Sequence, residues 1–338
     1  MSSGINQSDK QPANNCTPDI IMSSTVFPLL YSLLFIGSTI LNCLALFISL
    51  RIKSTTTFIV YLKNVIAADV LMTVAIIIKV FADSGLGSLQ LQAFVCRYSA
   101  VIFYLTMYMS IILLGLISFD RYLKIVKPFG KSAIRDPKFG KILTGSIWTV
   151  MFFTTALPNM VLTDQEPPKV KVLECSTMKG HFGLLWHKLV VYVCSAIFWL
   201  VFIMMIIFYT FISKKVYESY QNSSSKERDP SKKTTAKVFI VVFVFFFCFA
   251  PYHILRIPYT RWQAGAKANC MSQNAMYLAK QFTLWLSAAN TCLDPLIYII
   301  LCTLFRNRLL KMIRRNRDNL YPLEGTLKGE DTSQQSGT

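Results

Sequence analysis

Three groups of side chains could do chemistry in this sequence, and all three sit in or beside long apolar runs. The first is cationic. His253, Arg256 and Tyr259 follow at three-residue steps, one helical turn apart and on a shared face. Lys280 opens the next apolar run, Lys79 closes an earlier one, Arg97 follows Cys96, and Lys179 and Lys188 precede another. Forked guanidinium and point-charged ammonium groups between low-dielectric walls suit phosphate. Taken singly, Lys79, Lys179 and Lys188 read more plainly as interfacial anchors. Arg256 with Lys280 does not: an unpaired arginine inside a membrane span costs about 2.5–3.5 kcal/mol, which calls for an anionic partner.

The second group is Ser118-Phe119-Asp120-Arg121-Tyr122, an acid and an arginine at the end of an apolar run. The third is a set of oxygen-bearing residues inside the runs: Asn42, Asp69, Ser110, Asn290 and Asp294. Such oxygens suit a hard cation, with sodium the preferred reading, or two carboxylates sharing a proton. His181, His187 and His253 show neither metal-ligand spacing nor a nucleophile beside them, so neither an enzyme nor a cofactor is expected.

The elements that must position these groups follow from composition. The 338 residues are 53% hydrophobic and only 15% charged, more apolar material than a soluble domain of this size can hide. Nearly uncharged runs cover 20–50, 65–78, 98–119, 142–163, 189–213, 238–255 and 281–305. Most reach the ~20 residues a helix needs to cross the hydrocarbon core. The second extends to about Phe58–Phe81 once Lys63 and Lys79 are allowed to snorkel. The fold class expected is an all-α membrane protein, a bundle of seven transmembrane helices. Its net charge of +18 lies in short blocks between the runs and not over a globular surface, so no nucleic-acid partner is expected.

Basic residues cluster after runs one, three, five and seven, which assigns those segments to the cytoplasm and the N-terminus to the outside. Residues 1–25 then read as a retained external tail, with the first span as signal anchor. Two glycosylation sequons in that tail, at Asn6 and Asn15, agree with the orientation. Cys16, Cys96, Cys175 and Cys270 fall in external segments and permit two disulfides, with three connectivities open. The bundle is expected over 26–305. Residues 306–317 form a short amphipathic eighth helix on inner-leaflet lipids, with Phe305, Leu309, Leu310 and Ile313 facing lipid, and 318–338 form a disordered cytoplasmic tail. Pro251 and Pro295 each remove a backbone hydrogen bond inside a span and supply flexible points.

Several of these motifs together resemble a known family. Asp120-Arg121-Tyr122, Asp69 after Leu62-Lys63-Asn64, Trp148, Cys248-Phe249-Ala250-Pro251 and Asp294-Pro295-Leu296-Ile297-Tyr298 are similar to the rhodopsin-like class of G-protein-coupled receptors, over roughly residues 25–317. Within it the likeness is to the purinoceptors, in the branch that senses ADP or nucleotide sugars and couples to inhibitory G proteins. That signature is His253-Ile254-Leu255-Arg256-Ile257-Pro258-Tyr259-Thr260, with Lys280 before Thr283-Leu284. Further similar stretches are Phe103-Tyr104 with Met107-Tyr108, Leu157-Pro158-Asn159, Trp186-His187 and Ser118 to Pro128.

The resemblance implies a plasma-membrane receptor for ADP that lowers cyclic AMP through an inhibitory G protein. A nucleotide sugar or a lipid is the rival ligand. It implies that Tyr104, Asn159, His187, Tyr259 and Gln263 line the nucleotide site beside Arg256, Lys280, His253, Lys79 and Lys179. It pairs Cys96 with Cys175 and Cys16 with Cys270. Asp120, Arg121, Tyr122, Pro251, Asp294, Pro295 and Tyr298 become the activation switch, and the oxygen cluster becomes the class's sodium pocket. Near the base of span six the sequence reads Lys232-Lys233-Thr234-Thr235-Ala236-Lys237, so no acid there can hold Arg121, and Arg121 is expected to rest on Asp120. Two positions depart from the branch: Gln281 stands where Glu is usual, and Ala75-Ile76-Ile77-Ile78 lacks a proline. A transporter or channel would also hold intramembrane charges, but no internal duplication is present.

Overall fold

The computed structural model describes residues 21–53, 56–84, 87–128, 136–168, 173–221, 229–263 and 270–320. Asn6, Asn15 and Cys16 lie outside them, as do the side chains of Gln263 and Cys270. Regular structure among the described residues is helical: α1 (Phe27–Leu50), α2 (Thr57–Asp83), α3 (Leu89–Phe94), α4 (Ala100–Val126), α5 (Pro137–Met151), α6 (Leu157–Val161), α7 (His181–Gln221), α8 (Asp229–Gln263), α9 (Cys270–Ala288), α10 (Asn290–Leu301) and α11 (Thr303–Leu320).

Among the described residues six stretches are long and apolar enough to cross a bilayer: Met22–Leu50, Thr57–Asp83, Leu89–Val126, His181–Ser219, Phe239–Arg261 and Asn274–Leu301. The remaining span, the fourth, is assembled from α5, a π-helical turn at Phe152–Ala156 and α6, which follow one another without a gap. Its interruption has a local cause. Pro158 has no N–H for the carbonyl one turn back and its ring crowds that carbonyl. The hydroxyls of Thr154 and Thr155 bond back to the carbonyls of Val150 and Met151 at 2.7 and 2.6 Å, which loosens the same turn. The shifted register buries Asn159.

The spans are apolar on their exposed faces as well as in the core. On α1, Leu29, Leu33, Ile36 and Ile40 form an exposed stripe at helical spacing, whereas Ser38, Asn42 and Ser49 share the buried face with Tyr31 and Ile48. Lipid solvates the first face, and the second buries groups that lipid cannot satisfy. Close approach matters as well: a Cβ on Gly115 would lie 2.8 Å from Val201 Cγ1, so glycine lets span three meet span five.

Proline inside span seven leaves a carbonyl that another span satisfies. Pro295 cannot bond to Thr291 O, and Asn42 of span one donates to it instead at 2.9 Å. Span seven is broken at Ala289, more than a turn before Pro295. Near that break Ser287 Oγ donates across to Cys248 O of span six at 3.1 Å. The amphipathic helix α11 exposes Leu310 and Ile313 as expected, but Phe305 turns into the bundle, 1% exposed and edge-on to Tyr298 at 6.0 Å. The first turn of α11 is thus docked on span seven through Phe305, while Leu304 beside it stays exposed like Leu310 and Ile313.

Candidate functional site

One end of the bundle opens into a cavity of about 260 Å³ lined by residues of all seven spans, together with the π-helical turn before α1 and the loop between spans four and five. Cys96 and Cys175 are disulfide-bonded, Cα to Cα 5.1 Å, which pins that loop across the top of span three. Tyr104, Asn159, Lys179, His187, Arg256, Tyr259, Lys280 and Lys79 all face this cavity.

His253 does not. It lies outside the cavity lining, fully buried, with its ring stacked on Phe198 of span five at 3.9 Å and Nδ1 at 2.8 Å from Phe249 O. Of the remaining cations, Arg97 donates its Nε to Thr163 O at 2.7 Å and braces the loop, and Lys188 is not among the cavity residues. Tyr252, Tyr277, Asp83 and Glu174 line the cavity although the motifs did not single them out. Two of these had a signal: Asp83 is four residues beyond Lys79, and Tyr252 four before Arg256, the spacing of helical neighbours.

The cations are not equivalent. Lys79 is paired with Asp83 and lies over the ring of Tyr31. Arg256 is 5% exposed, and its neighbours are neutral: Nη2 is 2.9 Å from His187 Nε2, and its guanidinium sits 5.8 Å from the ring centroids of both Tyr104 and Tyr259. Lys280 lies 5.7 Å from the Tyr259 ring. Among the described residues no carboxylate stands within ion-pair distance of Arg256, Lys280 or Lys179. Aromatic faces offset part of the burial cost of a cation, but do not neutralise it. Lys179, on the loop, bonds to Thr163 Oγ1 at 2.6 Å and Asn159 Oδ1 at 3.2 Å, and burial lowers its pKa to about 8 against the opposing effect of Asp164. Gln281 donates its Nε2 to the Tyr277 hydroxyl at 2.9 Å, so the position where the branch carries Glu adds no charge.

Deeper in the bundle the oxygen cluster is assembled. Tyr298 donates to Asp69 Oδ2 at 3.0 Å and Asn290 to Asp294 Oδ2 at 2.7 Å. Four oxygens, Asn42 Oδ1, Asp69 Oδ1, Asn290 Oδ1 and Asp294 Oδ1, are buried without a hydrogen-bond partner, and Ser110 is buried as well. A buried set made only of acceptors suits either a hard cation or a proton shared between the two carboxylates.

At the opposite end Arg121 departs from expectation. Asp120 accepts from Lys124 at 2.7 Å, while Arg121 donates Nη2 to the carbonyl of Leu301 and lies 4.2 Å from the Phe58 ring centroid. Asp120 and Lys124 are one helical turn apart and meet directly. Arg121 instead points toward span seven, where the chain leaves the helical conformation at Cys302 and frees a C-terminal carbonyl.

Comparison with known proteins agrees with this architecture. A family profile described as 7 transmembrane receptor (rhodopsin family) matches residues 40–298. The chain is 47% identical to purinoceptor 13 of Homo sapiens over 306 residues, covering 90% of this chain and 85% of that one. It is 40% identical to purinoceptor 14 of Bos taurus over 98% of this chain and 99% of that one, and 37% identical to G-protein coupled receptor 87 of Mus musculus over 96% and 91%. The chain therefore belongs to the purinoceptor family of rhodopsin-like seven-transmembrane receptors, multi-pass proteins of the plasma membrane that act through G proteins and are not enzymes.

Proposed function

We propose that this chain is a receptor for extracellular ADP that couples to inhibitory G proteins and lowers cyclic AMP. The observation that carries the reading is Arg256: a guanidinium buried at the cavity, hydrogen-bonded to a neutral imidazole, with Lys280 and Lys179 in the same cavity and, like it, with no carboxylate in ion-pair contact among the described residues. Lys79 is already paired with Asp83, so three cations face one acid, Glu174. A diphosphate supplies the missing countercharge, and Tyr104 and Tyr259 offer faces to a base or ribose. The branch likeness in Arg256, Tyr259 and Lys280 supports ADP and the inhibitory coupling; a nucleotide sugar shares the diphosphate and is the rival.

In this reading the cavity end and the N-terminus face outward, in line with the basic segments and with glycans on Asn6 and Asn15. Gln263 joins the site, and a Cys16–Cys270 bridge ties the tail to the start of α9. Phosphate between Arg256 and Lys280 draws spans six and seven together at the cavity end, and span six pivots at Pro251. The shift requires tighter binding to one arrangement than to the other. The oxygen cluster takes sodium in the opposite arrangement.

Cells expressing the chain, exposed to ADP, ATP, UDP and UDP-sugars with and without a toxin that inactivates inhibitory G proteins, test the proposal. A toxin-sensitive fall in cyclic AMP with ADP the most potent is expected. A response confined to UDP-sugars refutes the ligand, and a toxin-insensitive response refutes the coupling.

A further inference from the structure

Asn159 spends its two amide ends on different partners, and this fixes the polarity of everything beyond it. Its Nδ2 donates to Thr155 O at 2.8 Å, so the oxygen Oδ1 must be the end that faces Lys179 and His187. Lys179 Nζ is 3.2 Å from that oxygen and His187 Nδ1 is 3.4 Å from it. An amide oxygen only accepts, so His187 carries its hydrogen on Nδ1 and presents a lone pair at Nε2. The group 2.9 Å from Nε2 is Arg256 Nη2, and a guanidinium only donates. Donation thus converges on the Asn159 oxygen from both sides, from Lys179 of the loop directly and from Arg256 through His187. A charged imidazole would place an N–H against the guanidinium and break the series.

Resting on the nucleotide reading, we propose that Asn159 and His187 are positioning residues for the ligand's phosphates and not its primary contacts: the relay Lys179–Asn159–His187–Arg256 aims the guanidinium into the cavity and couples it to Lys179 on the loop. Thr163 completes the support at the loop end, where its hydroxyl donates to Asn159 O at 2.6 Å and accepts from Lys179 at 2.6 Å. Arg256 is held on one nitrogen, and its Nε is buried without a partner. Without His187 the long side chain has, among the described residues, no side-chain hydrogen bond to choose its rotamer, and its own entropy opposes any single aim. Anion binding at Lys179 loosens that lysine's hold on Asn159, so the two cationic points respond to one ligand together.

The test compares His187→Gln with His187→Leu in receptors matched for surface expression. Glutamine can accept from Arg256 through Oε1 and donate to Asn159 through Nε2, which preserves the direction of the relay; leucine can do neither. Expected are ADP potency within about threefold of wild type for His187→Gln and a loss of at least about tenfold for His187→Leu, the size of one hydrogen bond to a charged group. Asn159→Leu should repeat the loss from the far end and stands in if His187→Leu does not reach the surface. The potency ratio of ADP to AMP should fall in both leucine variants, because the lost aim bears on the phosphates. Equal losses in His187→Gln and His187→Leu, or an unchanged ADP to AMP ratio in the leucine variants, overturn the relay while a wild-type response to ADP leaves the receptor reading standing. A wild-type chain silent to every nucleotide overturns both.

Discussion

Arg121 donates to the main-chain carbonyl of Leu301, joining span three to the end of span seven, while Asp120 beside it is held by Lys124. An acceptor on the main chain cannot be removed by changing a side chain, so the aromatic platform under the guanidinium is the accessible handle. Phe58→Ala should raise agonist-independent G-protein activation, because a cation–π contact contributes about 0.5–2 kcal/mol and its loss shifts the balance roughly 2- to 30-fold. Asp120→Asn should leave basal activity near wild type. Nucleotide exchange on purified G protein measures both; a large rise in Asp120→Asn with none in Phe58→Ala would restore Asp120 as the partner of Arg121.

Lys179 gives the site a pH dependence of definite sign. Its pKa in the free receptor is about 8, and an anion close by must raise it, so binding takes up a proton above that pH. Nucleotide affinity should therefore fall as pH rises through about 8, by up to about tenfold per pH unit. Lys179→Arg, which stays charged, should flatten the profile. Radioligand binding across pH values on both sides of the Lys179 transition checks it, and identical slopes in the two receptors would exclude Lys179.

The seven spans were legible because lipid leaves a chain little choice: runs of ~20 apolar residues can only be helices or remain unsatisfied. Arg256, Tyr259 and Lys280 were legible for the same reason, as polar groups that need a purpose inside such runs. His253 was misread by a geometric shortcut. A three-residue step falls about 60° short of a full turn, so His253 and Tyr259 end about 120° apart and only the second shares the cavity with Arg256. Phe305 was read as lipid-facing because the α11 pattern does not reveal that its first turn docks on Tyr298. The partner of Arg121 could not be read at all, since a backbone carbonyl freed at Cys302 leaves no trace in residue type.

Asn42 and Pro295 should be energetically coupled through Thr291. Asn42→Ala leaves the Thr291 carbonyl buried without its donor and should cost about 1–3 kcal/mol. Pro295→Ala restores an N–H one turn on that can take up the same carbonyl, so Asn42→Ala should cost less in that background. A double-mutant cycle on thermal unfolding of purified receptor measures the difference; strict additivity would mean that Asn42 acts elsewhere.

Sodium should stabilise the receptor through the four orphan oxygens. In detergent, replacing choline chloride by sodium chloride should raise the melting temperature of the wild type and leave Asp69→Asn unmoved. An equal response to both salts in the wild type would favour two carboxylates sharing a proton.

If Arg256 and Lys280 neutralise the phosphates of a nucleotide and so drive the receptor, the most direct measurement is the ADP concentration response of Arg256→Ala/Lys280→Ala at matched surface expression. Potency should fall by at least about 100-fold, two charge-assisted contacts being lost. Undiminished potency would contradict the nucleotide reading.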